Sequence, residues 1–193
     1  MILLSKLSDY FHAWAKGWLI LAIFAAIMLL LSVPPLIMPD FYTAIGNMVH
    51  LDGMFFYTPE ESFSAVESYG EIGRVQMIWL HLTWDCIFPI LYTLFFSLLI
   101  SWLFQRSFKP ESQLQKLNLV PIVGGIFDLM ENTWIVSMIL VYPARPTVVA
   151  WLSTLSTMSK WIMSIPIVLL VLTGLVKSIM SKLKVQEEEM NRD

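Results

Sequence analysis

The sequence predicts an all-α fold: an integral membrane four-helix bundle with a short outer amphipathic helix between spans one and two. Of the 193 residues, 57% are hydrophobic and 14% are charged, whereas soluble domains are typically about 25% charged. Four long apolar runs separate the charged stretches, and each is longer than the ~20 residues that a membrane helix needs. A membrane β-barrel would show segments of ~10 residues that alternate in polarity. These runs do not alternate, so the sequence favours helices.

The whole chain is predicted to form one membrane domain over residues 1–193. Its spans are expected at approximately residues 17–39, 75–104, 119–142 and 148–176, with an outer segment at 40–74 and a tail at 177–193. The first run is too long for the apolar part of a signal peptide and lacks a small-residue cleavage site, so it predicts a retained helix. Residues 1–16 predict an interfacial helix, and the acidic stretch Gln186–Asp193 predicts a frayed tail.

The outer segment contains a recognisable helix start, Thr58-Pro59-Glu60-Glu61. Thr58 can cap the helix, proline is tolerated at its first position, and Glu61 completes a capping box. An apolar stripe follows at Phe63, Val66 and Tyr69. Gly70 and Gly73 are expected to end this helix. The pattern predicts an amphipathic helix that lies on the bundle like a lid, or else an ordinary surface helix.

The distribution of basic residues predicts that both termini are cytoplasmic. Nine Lys and Arg residues fall before span one, between spans two and three, or after span four, whereas Arg74 and Arg145 fall on the other side. Short cytoplasmic loops carry the excess of positive charge. The rule holds for a bacterial inner membrane and for the endoplasmic reticulum, so it does not distinguish between them.

Ionisable residues inside the spans are the strongest functional signal. Each costs ~2.5–3.5 kcal/mol at mid-bilayer, so such residues usually face a partner or a cavity. The residues concerned are Asp85, Asp128, Glu131 and Lys160. They fall on three polar stripes: His81, Asp85, Phe88 and Tyr92 on span two; Pro121, Gly124, Gly125, Asp128, Glu131 and Asn132 on span three; Ser153, Thr157, Lys160 and Ser164 on span four. The three stripes are expected to point inward together.

The charges of this cluster constrain its chemistry. If all four residues were ionised, three carboxylates and one ammonium would sum to −2, which a dry interior does not hold. A carboxyl must therefore stay protonated, or a cation must neutralise it. We assign Asp85, Glu131 and Asp128 as candidate acid-base or ion-pairing residues, with Lys160 as the counter-ion. The candidate binding residues are His81, Tyr92, Asn132, Lys160, Thr157 and Arg74, the last at the mouth of span two.

Four functions remain open at this point. The favoured hypothesis is binding, and conversion in one version of it, of a hydrophobic or amphipathic small molecule in an intramembrane polar pocket, lined by aromatic residues such as Trp79, Trp84, Trp134 and Trp161. Alternatives are a structural polar network without activity, a metal-dependent intramembrane hydrolase that uses His81 and Asp85, and a proton-coupled transporter or channel subunit acting as a homo-oligomer. No metal ligand or cofactor is assigned.

Composition excludes some classes. No basic patch with interleaved aromatic residues is present, so no nucleic-acid partner is expected, and the bilayer is the expected surrounding. Cys86 is the single cysteine, which excludes an intrachain disulfide. The general plan resembles small four-helix membrane proteins of the sterol-isomerase and sigma-2-receptor group. Like that group, the chain is predicted to combine four spans, cytoplasmic termini, an outer segment and inward-facing carboxylates. The resemblance lies in the architecture and implies a ligand cavity, but it assigns no residue.

Overall fold

The computed structural model describes residues 2–190, and within them the fold is all α, as the sequence predicts. The α-helices are α1 (Ile2–Trp14), α2 (Gly17–Ile37), α3 (Pro39–Gly46), α4 (Pro59–Ser68), α5 (Gly70–Leu82), α6 (Trp84–Ser107), α7 (Val120–Val141) and α8 (Thr147–Met190). Short 3-10 helices occupy Leu51–Gly53 and Gln113–Leu119.

Four helical stretches among the described residues are long and apolar enough to cross a membrane. They are Gly17–Ile37, Gly70–Ser107, Gln113–Val141 and Thr147–Ser181. This confirms the predicted integral membrane four-helix bundle. Span four ends at Ser181, beyond the predicted end at residue 176, and α8 continues as a helix to Met190. The stretch from Gln186 to Met190, which was predicted to be frayed, is therefore helical. The last three residues of the predicted tail lie outside the described residues.

The bundle is built around α7 and α8, which pack along most of their lengths, while α6 packs against both. α2 lies on the outside against α6 and leaves most of its surface for lipid. Small residues permit the close approaches: a Cβ added at Gly125 would collide with Thr93 of α6, and one at Gly174 would lie 2.8 Å from the Leu103 Cβ. Gly125 and Gly174 therefore let α7 and α8 approach α6 closely.

Residues 38–69, which we call the lid segment, fold over one end of the bundle. The predicted capping box is present: the Thr58 backbone N–H donates to Glu61 Oε2 at 2.7 Å, and the Glu61 backbone N–H donates to Thr58 Oγ1 at 3.2 Å. The Thr58 bonds lower the pKa of the Glu61 carboxyl. Phe63, Val66 and Tyr69 are buried against α5, α7 and α8 in one apolar cluster. This helix therefore covers the bundle, as a lid would.

The end of the lid helix differs from the prediction in one detail. Gly70 has a φ of 64°, a left-handed conformation that favours glycine, and it separates α4 from α5. Gly73 does not end the helix. It lies inside α5, where its bare Cα lets Met48 and Tyr69 pack closely. The first turn of span two thus begins inside the predicted outer segment.

Span two is interrupted at Thr83, a feature that the sequence analysis did not predict. α5 ends at Leu82 and α6 begins at Trp84, with Thr83 at φ −111° and ψ −85°. Pro89 lies inside α6 and has no N–H to offer the carbonyl of Asp85, four residues earlier. The Asn132 side chain of α7 donates to that carbonyl at 2.6 Å instead. Asn132 therefore satisfies a backbone group that the proline leaves free.

We predict that Asn132→Leu destabilises the protein by about 1–3 kcal/mol, because the partly buried Asp85 carbonyl then loses its hydrogen-bond donor. Adding Pro89→Ala should recover part of this loss, since the alanine N–H can bond the same carbonyl. Thermal unfolding in detergent measures both. Thr133→Val on the exposed face of α7 is the matched control and should have little effect. Equal losses with and without Pro89→Ala would contradict this account.

Candidate functional site

A buried ion cluster connects α7 and α8. Lys160 of α8 forms an ion pair with Glu131 Oε2 of α7, and its Nζ lies 3.6 Å from Asp128 Oδ1, one turn earlier on α7. The Glu131 side chain is fully buried, while those of Lys160 and Asp128 are 13% and 14% exposed. The cluster thus has a closed side at Glu131 and a narrow opening at the other two residues.

Each of the two carboxylates also accepts a hydrogen bond from a hydroxyl group. Thr157 Oγ1, one turn before Lys160, donates to Glu131 Oε1 at 2.5 Å. The Tyr92 hydroxyl of α6 donates to Asp128 Oδ2 at 3.1 Å. Each acid therefore has one hydroxyl donor and shares one ammonium group. With all three groups ionised the cluster would have a net charge of −1, less than the −2 expected when Asp85 was included.

The lid segment reaches the same cluster through Tyr57. Its hydroxyl lies 2.7 Å from Ser153 Oγ and 3.0 Å from Thr157 Oγ1, and its backbone carbonyl accepts from Thr154 Oγ1 at 2.8 Å. The Tyr57 side chain is completely buried, and burial raises the pKa of its hydroxyl. Tyr57 is consequently a protonated hydrogen-bonding group at neutral pH. Because Tyr57 lies in an irregular loop, no helical periodicity in the sequence marks it as a site residue.

A second polar network lies beside the break in span two. His81 Nδ1 is 3.0 Å from Asp85 Oδ2 and 3.0 Å from Asn132 Oδ1. Both neighbouring atoms are acceptors. Asp85 Oδ2 is a carboxylate oxygen, and Asn132 presents its amide oxygen because its amide nitrogen already donates to the Asp85 carbonyl. Nδ1 must therefore carry a proton. His81 Nε2 is buried and has no hydrogen-bond partner within residues 2–190.

The structure brings most of the predicted site residues together, but in two networks rather than one. The first network contains Asp128, Glu131, Lys160, Thr157 and Tyr92. The second network contains His81, Asp85 and Asn132. Lys160 pairs with the two acids of α7, whereas Asp85 pairs with His81. The expectation that Lys160 is also the counter-ion of Asp85 is thus wrong, because the histidine one turn earlier lies closer.

Arg74 does not join either network. Its guanidinium lies over the Tyr142 ring, 4.3 Å from the ring centre, where it connects the start of α5 to the end of α7. This contact is a cation–π interaction between helix ends. The structure therefore gives Arg74 a packing role. Its assignment as a binding residue at the mouth of span two stays a prediction.

A small cavity of about 190 Å³ opens onto the first network between α6, α7 and α8. Its walls are mostly apolar, and its polar groups are Tyr92, Lys160 and Ser164. A larger groove of about 540 Å³ lies near the Thr83 break and is lined by Met38, Phe41, Gln76, Trp79, Thr83, Trp84 and Ile87. Two predicted pocket aromatics, Trp79 and Trp84, therefore line this groove and not the charged site. Trp161 donates to the Met54 carbonyl of the lid at 3.1 Å.

The arrangement offers no metal centre among the residues described. Within residues 2–190, no three His, Cys, Asp or Glu side chains come together in a group that could hold a metal ion. His81 and Asp85 do lie side by side, as their spacing predicted, but they bond each other. The metal-dependent hydrolase hypothesis therefore lacks a ligand set here.

Comparison with protein-family models, curated proteins and solved structures found no match to this chain. The function of the chain is therefore inferred from the chemistry of the site itself.

We predict that Lys160→Met destabilises the protein by about 3–5 kcal/mol, because it leaves Glu131 buried without a counter-ion. Adding Glu131→Gln should restore most of this stability, since the double variant keeps the net charge of the cluster and has no unpaired charge at its closed side. Thermal unfolding in detergent measures both variants. Lys177→Met, on the same helix outside the cluster, is the control. A double variant as unstable as Lys160→Met would contradict the pairing.

Proposed function

We propose that the protein binds an amphipathic small molecule whose hydroxyl head group enters the 190 Å³ cavity and bridges Lys160 and Asp128. One observation supports this most directly. Lys160 Nζ and Asp128 Oδ1 are 3.6 Å apart, which is too far for a hydrogen bond, and both side chains are slightly exposed. Asp128 Oδ1 therefore has a free acceptor site, and the ammonium has a donor to spare.

A hydroxyl suits this gap better than a charged group does. Its oxygen can accept from the Lys160 ammonium while its hydrogen is donated to Asp128. A cationic head group would face the ammonium, and an anionic one would face two carboxylates, so each would meet like charge at short range. A hydroxyl adds no charge to a site that already holds a net negative charge when ionised.

The size and walls of the cavity favour a ligand with an apolar tail. Ligand sites that enclose a drug-sized molecule usually measure roughly 300–1,000 Å³, and this cavity measures about 190 Å³. It can hold a head group and a few carbons. Val168 lines the cavity and is 52% exposed on the outer surface of α8. The tail would leave the cavity past this residue and lie in the bilayer.

The structural network remains the second candidate, because a specific observation favours it. Glu131 is fully buried, and its carboxylate is already bonded by Lys160 and Thr157. A network that only joins helices would look the same at this side of the cluster. The two candidates differ at Asp128, where a ligand would find an unused acceptor.

Three probes with the same tail distinguish them: dodecanol, dodecylammonium and dodecanoate. We expect dodecanol to bind the purified protein about tenfold more tightly than either charged probe, since a bridging bond to charged groups is worth about 1.4 kcal/mol or more. Native mass spectrometry at increasing probe concentration measures this preference.

Two variants make the probe experiment specific. Val168→Phe narrows the cavity and leaves every charge in place, so it should weaken dodecanol alone. Lys160→Met with Glu131→Gln should remove the preference for the alcohol. Equal binding of the three probes to the unmodified protein would contradict the proposal and leave the structural network as the function of these residues.

We also propose that both termini face the cytoplasm and that the lid segment faces the opposite compartment. The excess of Lys and Arg in the segments at the opposite end from the lid supports this. In a Cys86→Ser background, Gln113→Cys should react with an impermeant maleimide from the cytoplasmic side, and Ser64→Cys in α4 from the other side. Both positions are exposed. The reverse pattern would overturn this orientation.

A further inference from the structure

The polar contacts that hold the lid segment to the bundle differ in how far they are exposed. Arg145 and Glu67 form an exposed ion pair at 2.5 Å, and Trp161 donates to the Met54 carbonyl from an exposed position. The contacts of Tyr57 with α8 are fully buried. Exposed ion pairs contribute little, so the buried tyrosine dominates the polar attachment of the lid.

The number of hydroxyl protons available determines which group donates in each of these hydrogen bonds. Thr157 has one hydroxyl proton, which it donates to Glu131 Oε1 at 2.5 Å. Tyr57 can then donate its own proton to Thr157 Oγ1 at 3.0 Å, and Ser153 can donate to Tyr57 at 2.7 Å. Every hydroxyl in this series donates toward the carboxylate. The negative charge of Glu131 therefore orients a chain of hydrogen bonds that ends in the lid.

Thr157 also has another acceptor within reach. The Ser153 backbone carbonyl, one turn earlier on α8, lies 3.0 Å from Thr157 Oγ1. If Glu131 lost its charge, the Thr157 proton would turn to that carbonyl, because the carboxylate would no longer be the stronger acceptor. The oriented chain to Tyr57 would lose its terminal acceptor. The charged groups that face Glu131 are Lys160 of α8, whose opposite charge favours the ionised carboxylate, and Asp128 of α7, whose like charge opposes it.

We propose that Tyr57 latches the lid segment to the bundle through Thr157, and that the charge on Glu131 sets the strength of this latch. The ion cluster then controls whether the lid end of the bundle is open or closed. This inference does not depend on the head-group proposal, because no ligand takes part in the latch. A change in the cluster that neutralises Glu131 therefore weakens the attachment of the lid.

Hydrogen exchange of the full-length protein in lipid nanodiscs tests the latch. Tyr57→Phe removes one hydroxyl and keeps the ring, and Thr157→Val keeps the side-chain shape. Each should speed the exchange of backbone amides in residues 49–69 about five- to tenfold, the factor that corresponds to one buried hydrogen bond. The amides of the 3-10 helix Gln113–Leu119, at the opposite end of the bundle, should not change.

A matched control and a charge variant complete the test. Arg145→Gln removes the exposed lid contact and should leave exchange within about twofold of the unmodified protein. Lys160→Met with Glu131→Gln should speed lid exchange as Thr157→Val does, and adding Tyr57→Phe should then have little further effect.

Three results would overturn the latch. Unchanged lid exchange in Tyr57→Phe would show that apolar packing alone holds the lid. Equal acceleration at both ends of the bundle would show that the hydroxyl supports the whole fold. Fully additive effects of Tyr57→Phe and the charge variant would show that Glu131 does not act on the lid.

Discussion

Lys160 and Glu131 meet where α7 and α8 exclude water, and the first polar network and the polar attachment of the lid are arranged around this contact. Removing two charges from water costs several kcal/mol each, so the pair is stable only if other groups bond the remaining lone pairs. Thr157 supplies one such bond, and Tyr57 bonds Thr157 in turn. Asp128, held by Tyr92, adds a second carboxylate near the same ammonium. The hydrogen bonds that stabilise this one buried ion pair thus extend from the centre of the bundle to the lid.

This ion pair lies between two membrane-spanning helices, where its presence is informative about function. Apolar residues would join α7 and α8 without the cost of desolvation, and Gly125 and Gly174 already allow these two helices to pack closely against α6. The one feature that apolar packing would not provide is the partly exposed gap between Lys160 and Asp128 beside a cavity. A binding site that discriminates among head groups needs polar groups of this kind.

The membrane spans and the regular helical patterns could be predicted from the sequence, whereas the irregular local features could not. Long apolar runs predict spans because the bilayer sets their length, and the Thr58–Glu61 capping box is a local pattern that needs no tertiary contact. Helical spacing also identified Asp128, Glu131, Lys160 and Thr157. Tyr57 could not be found, since its position depends on how an irregular loop folds. The break at Thr83 and the pairing of Asp85 with His81 depend on contacts with α7, which spacing along one helix does not contain.

The two networks share one element, because Glu131 and Asn132 are neighbours on α7. Their side chains leave the helix about 100° apart, so one faces Thr157 and Lys160 while the other faces His81 and the Asp85 carbonyl. A rotation of α7 about its long axis would displace both side chains, so it would alter the hydrogen bonds of both networks together. A change at one network that turns this helix would therefore reach the other network without any shift of α7 along its axis.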